Sequence, residues 1–143
     1  METKFNFESQ FCTSRFQSER LLALGLKEET ADMKYSGTRE YYGGVLTEGT
    51  SSLPIIIDTE DDDITEYDTP AWSLGRLIEM MPLDVVPEGG LDNCFTLIKN
   101  YPKGYSVEYD GVSYYHKENI YDTIIDGIEH LIKEGYFNKE YLV

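Results

Sequence analysis

The sequence predicts a single α+β domain, with helices packed on one face of a largely antiparallel sheet. Three observations point there. Two helical patterns flank a set of short strand-like runs, no β-α-β alternation with a glycine-rich phosphate loop occurs, and Asp110-Gly111 marks a tight antiparallel hairpin. At 143 residues the chain has the size of one domain, large enough to bury roughly two thirds of its unfolded surface without disulfide or metal staples. An apolar content of 41%, with 12 Tyr and 6 Phe, argues for a packed core over a disordered chain. The domain is read as residues 1–143, with 1–12 a loosely ordered leading segment.

The first helix begins after Ser14, whose hydroxyl is placed to cap Gln17 while the Gln17 side chain returns the bond, a capping box. Leu21, Leu22 and Leu24 form its apolar stripe, and Gly25 suits a left-handed end with Leu26 folding back. Two further helical turns are expected over Lys27 to Met33. Helix, glycine, helix invites a DNA-binding reading, but Glu28, Glu29 and Asp32 stand where a recognition helix needs donors. Strands are expected at Tyr41 to Thr47 and Leu53 to Ile57, joined by the turn formers Glu48 to Ser52. Pro54 places the second at a sheet edge or at its own first residues. Thr69-Pro70 reads as cap and first position of a second helix whose Leu74, Leu77, Ile78 and Met81 share a face until Pro82, so that Glu66 and Asp68 lie beside its N-terminus.

A three-strand meander follows the connection Leu83 to Asp92. Its strands are Cys94 to Lys99, Tyr105 to Tyr109, and a third after Asp110-Gly111; Pro102-Lys103-Gly104 forms the first turn. That hairpin pairs Tyr109 with Val112, Val107 with Tyr114 and Tyr105 with His116. Glu108, Ser106, Ser113 and Tyr115 fall on the other, more polar face. Asn119 caps the last helix, whose Ile120, Ile124, Ile128, Leu131 and Ile132 form a core-facing stripe ending at Gly135.

Charge is the strongest global signal. The chain carries 27 Asp and Glu against 12 Lys and Arg, a formal charge of -15, with a pI near 4.3. Phosphate backbones and anionic membranes attract basic patches, so direct nucleic-acid and membrane binding are both disfavoured. No basic residue occurs between Arg39 and Arg76, a span holding Asp58, Glu60, Asp61, Asp62, Asp63, Glu66 and Asp68. The start lacks a basic segment followed by an apolar run, and no apolar stretch is long enough to cross a bilayer. A cytoplasmic protein is expected.

Candidate chemistry is sparse. Cys12 and Cys94 are too few for a disulfide framework and read as buried thiols. His116 faces Tyr105 in the expected register, and His130 pairs with Glu134 four residues on. An EF-hand loop begun at Asp58 fails at Asp63, where glycine is needed, and at Thr69, where glutamate is needed. The sequence therefore assigns no catalytic residue, no cofactor and no metal. The acidic, tyrosine-rich stretch points instead to partner binding, with Tyr41, Tyr42, Asp61, Asp62, Asp63, Glu66 and Asp68 as candidates.

Leu24-Gly25-Leu26 with Thr30-Ala31-Asp32-Met33, Pro70-Ala71-Trp72-Ser73-Leu74, and a final helix in "YDTIIDGIEHLIKEGY" occur together in this chain. As a set they resemble a family of small uncharacterised proteins of gut Bacteroides-type bacteria, often carried on prophages and other mobile elements. The resemblance spans about half the chain. It implies an accessory protein of a mobile element and carries over no catalytic residues. Tyr35 to Asp68 falls outside the motifs. The function expected is a non-enzymatic module that binds an unknown protein with a basic surface. Two alternatives are an acidic decoy that imitates nucleic acid, and a small enzyme assembled from residues such as His116 and Tyr114.

Overall fold

The computed structural model describes residues 9–42, 45–50, 53–57, 64–82, 84–85, 93–99, 103–109 and 112–143. Its helices are α1 (Arg15–Ala23), α2 (Leu74–Met80) and α3 (Ile120–Glu134). The strands are β1 (Met33–Tyr35), β2 (Gly37–Tyr42), β3 (Val45–Thr50), β4 (Ile55–Ile56), β5 (Thr69–Ala71), β6 (Asp84–Val85), β7 (Asn93–Lys99), β8 (Tyr105–Tyr109) and β9 (Val112–Lys117). They form the antiparallel sheets β4-β1-β5 and β6-β7-β8-β9 and the hairpin β2-β3. The fold is α+β, as the sequence predicts.

Local signals set both long helix ends. Ser14 Oγ accepts from Gln17 N at 3.1 Å while Ser14 N donates to Gln17 Oε1 at 3.0 Å, completing the capping box. Gly25 takes a φ of 102°. Its N–H donates to Leu22 O and that of Leu26 to Leu21 O, at 3.0 and 3.2 Å, so a Schellman turn closes α1 and buries Leu26. Asn119 Oδ1 accepts from Tyr121 N and Asp122 N at the start of α3, and Gly135, at φ 79°, ends it. Ile124, Ile128 and Leu131 are buried, with Ile120 and Ile132 at the margin of the same core. That core also takes Leu21, Trp72, Leu77, Val107 and Ile125. Each fully buried aliphatic side chain contributes roughly 1.5 to 3 kcal/mol.

Four expectations are corrected. The turns expected over Lys27 to Met33 reduce to one 3-10 turn, Glu28–Thr30, and then β1. Asp32 is drawn off to accept from Ser73 N and Ser73 Oγ, while Met33 and Lys34 pair with strands on both sides and Tyr35 with Thr69. Those bonds outweigh the weak helix propensity of Thr30 and Asp32. Without a second helix, no helix-turn-helix forms at this place.

The hairpin lies earlier than expected. Tyr42 pairs with Val45 and Gly37 with Thr50, so Glu48 to Thr50 belong to a strand and Ile55–Ile56 join a different sheet. Thr69-Pro70 does not open a helix either. Lys34 pairs with Pro70 and Tyr35 with Thr69, on an edge strand where the missing proline N–H costs no ladder bond. Ser73 caps α2, its Oγ accepting from Arg76 N at 3.2 Å.

In the meander, Tyr109 opposes Val112 as expected, but a bulge between Val107 and Glu108 shifts the rest by one residue. Val107 then opposes Tyr115, Ser106 opposes His116, and Tyr105 opposes Lys117. An extra residue on one strand is invisible to a strict alternation of period two. Asp110 and Gly111 themselves lie outside the described residues. So do residues 1–8 of the leading segment; further on, Tyr121 Oη donates to Gln10 O at 3.0 Å and Cys12 is buried, while Phe11 between them is 76% exposed.

Candidate functional site

β4 brings the expected partner-binding region to an edge. It follows Pro54 and, among the described residues, pairs only with β1, Ile56 opposite Met33 and Ile55 opposite Lys34. The side chains here face outward: Leu53 is 73% exposed and Ile56 76%. Isoleucines on a strand commonly mark a buried face, yet among the described residues only β1 stands beside this one. Ile57, folded back toward the main core, ends the run. In the chain the acidic stretch begins at the next residue, Asp58.

The expected binding residues separate. Glu66 is exposed. Tyr41 and Tyr42 lie in β2, opposite Leu46 and Val45. Asp61, Asp62 and Asp63 lie outside the described residues, as does the first half of the rejected EF-hand loop. Asp68 is a correction, because its carboxylate is turned inward. Asp68 Oδ1 accepts from Gly37 N at 2.8 Å, and Oδ2 accepts from Thr65 N at 3.0 Å and Lys34 Nζ at 3.2 Å. Burial pushes this carboxyl up, but the two amides and the ammonium outweigh it and hold it below the usual carboxylate value. It fastens β1 to the start of β2 and cannot meet a partner. Sequence spacing misses this because Lys34 and Asp68 are distant in the chain and converge only when β1 pairs with β5.

A cleft of about 760 Å³ opens elsewhere, between the starts of α2 and α3 and the segment before α1. Phe11, Tyr105 and Tyr121 supply aromatic walls; Gln10, Ser73 and Glu118 supply polar groups. These groups are engaged with other side chains or with backbone. Ser73 Oγ bonds Asp32 and caps α2, and Glu118 Oε1 meets Lys103 Nζ at 2.9 Å. The hydroxyl of Ser73 thus donates to Asp32 and accepts from Arg76 N, which ties the start of α2 to the residue before β1. Cys12 is likewise held in the interior, 3.7 Å from Tyr35 Oη. Burial pushes its thiol up, the Tyr35 contact pulls it back, and Asp32 adds to the rise. Among the described residues, no group of three His, Cys, Asp or Glu side chains is placed to hold a metal, and no helix is long and apolar enough to cross a membrane.

No protein-family model, curated protein or solved structure matches this chain.

Proposed function

We propose that the protein is a non-enzymatic binding module that docks on another protein through β4 and the acidic, tyrosine-rich chain around it. Its partner presents a basic surface with apolar residues among the charges. The carrying observation is the exposure of Leu53, Ile55 and Ile56 in close succession, immediately before a stretch rich in Asp and Glu and free of Lys and Arg. Apolar side chains grouped on a surface gain by being covered, and the neighbouring charges select what covers them. In sequence, Tyr41, Tyr42 and Glu66 flank this segment. The motif resemblance adds a setting, that of an accessory protein of a bacterial mobile element.

The test is affinity capture from the bacterial host, followed by binding kinetics with the purified partner. Association slows as salt rises while dissociation changes less, because the charges steer the encounter. Replacing Asp61, Asp62 and Asp63 together with Asn weakens binding and leaves the fold intact. Full binding by that variant at low salt overturns the acidic surface as the docking face.

A further inference from the structure

The register of β4 identifies which of its backbone groups remain unused. Ile57 N donates to Asp32 O at 3.0 Å, so positions 55 and 57 bond inward to β1. In an antiparallel pair such bonds occur at alternate residues. Ile56, opposite Met33, therefore turns its N–H and C=O away from the sheet, and neither has a partner among the described residues. Position 54 has the same phase. Being proline, it offers an outward C=O and no N–H. The edge thus presents one donor and two acceptors, beside the exposed side chain of Ile56.

Open strand edges are templates for another strand, and proteins usually guard them with charge or proline. Here Pro54 guards one end, while Ile55 and Ile56 carry no charge. A second copy of the chain is a poor occupant, since each brings a formal charge of -15 and like charges repel on close approach. A cationic strand is complementary on both counts.

Resting on the binding-module reading above, we propose that β4 receives an extended segment of the partner protein by strand addition at Ile56. That segment alternates apolar residues with Lys or Arg. Its backbone exchanges both bonds with Ile56 and donates a third to the carbonyl of Pro54, and its apolar side chains cover Ile56. Backbone bonding gives the register, and attraction of its Lys or Arg to a chain of formal charge -15 gives the selectivity.

The probe is a synthetic peptide of alternating Val and Lys, added to the full chain and followed by fluorescence anisotropy and amide hydrogen exchange. Binding slows exchange at the Ile56 amide by about tenfold or more, and methylating alternate backbone nitrogens of the peptide weakens it by a similar factor. Ile56→Pro removes the outward N–H and spares the inward bonds, so it also weakens binding about tenfold at an unchanged melting temperature. The methylated peptide keeps the test decisive should that variant fold poorly. Equal affinity for both peptides, or unchanged exchange at Ile56 in the complex, overturns strand addition. Concentration-dependent dimerisation that Ile56→Pro abolishes overturns the assigned occupant in favour of a second copy. A captured partner that binds Ile56→Pro at full strength overturns this inference and leaves the binding-module reading standing. Protection of Ile56 by the peptide, in a host that yields no specific partner, supports the edge site and overturns that broader reading instead.

Discussion

Lys34 Nζ lies 3.2 Å from Asp68 Oδ2 with only 8% and 5% of the two side chains exposed, a buried ion pair between residues 34 positions apart. Removing the carboxylate charge weakens three bonds at once, those accepted from the Gly37 and Thr65 amides and from the Lys34 ammonium. Asp68→Asn should therefore cost about 1.5 to 3 kcal/mol. The emission of Trp72, the one tryptophan, follows unfolding in urea because its side chain is fully buried. The cost depends on pH. A carboxyl held below its ordinary value of 3.8 contributes stability that is complete above the unfolded value and is lost as pH falls through the folded one. The gap between Asp68→Asn and the unaltered chain should hold steady at neutral pH and narrow in acid below about pH 4.

Tyr35 gives the opposite window. Burial, and then its contact with Cys12, push its hydroxyl up to about 12, and that hydroxyl donates to Thr13 O at 2.9 Å. Its contribution is fully present below the unfolded value of about 10 and declines as pH rises toward the folded one. Denaturation midpoints should fall between about pH 10 and pH 12, and Tyr35→Phe should flatten that limb while lowering stability at neutral pH by about 1 kcal/mol.

A Cβ placed on Gly37 would sit 1.7 Å from Tyr67 O, so two backbones approach here more closely than any side chain permits. Gly37→Ala should destabilise by about 2 kcal/mol or more. Gly75 in α2 is the control, since its Cβ would meet only Ser73 Oγ, at 4.0 Å. Gly75→Ala should be stabilising by about 0.5 to 1 kcal/mol through helix propensity. Thermal melts of the two variants, moving in opposite directions, check both statements.

Gln17 serves two helices at once. Besides closing the capping box of α1, its Nε2 donates to Asp122 Oδ1 at 2.8 Å and to Asn119 Oδ1 at 3.2 Å, at the start of α3. Gln17→Ala should cost about 2 to 3 kcal/mol, more than a surface cap. Gln17→Glu keeps the acceptor for Ser14 N but sets a second carboxylate against Asp122. Its stability in urea should consequently improve as pH is lowered from 7 to about 4.

The parts of this fold legible along the chain are those decided within one turn of backbone. Ser14 with Gln17, Gly25 and Asn119 act on neighbours at most a few residues away, and the stripe of α3 repeats its own period. The hairpin at β2 and β3 was also open to such a reading, because Gly43-Gly44 between tyrosines and valine is a strong two-residue hairpin signal. Glu48 to Ser52, also rich in turn formers, offers a competing turn a few residues on. The candidate site was legible as a composition, acidic and tyrosine-rich, but not as a geometry.

By itself, then, the sequence determined the α+β class, the ends of α1 and α3, the core stripe of α3, and a surplus of negative charge. Tertiary structure alone decided that Thr69-Pro70 lies in a strand, that Met33 to Tyr35 forms the centre of a sheet, that Asp68 turns inward and that Ile56 turns outward. The reason is the range of the forces involved. A cap or a helical stripe draws its energy from residues a few positions away, so the chain announces it locally. A β-ladder bond, a buried ion pair or an open sheet edge depends on which distant segment arrives alongside, and an isolated stretch of Asp or Ile reads the same whether it is destined for the interior or the surface.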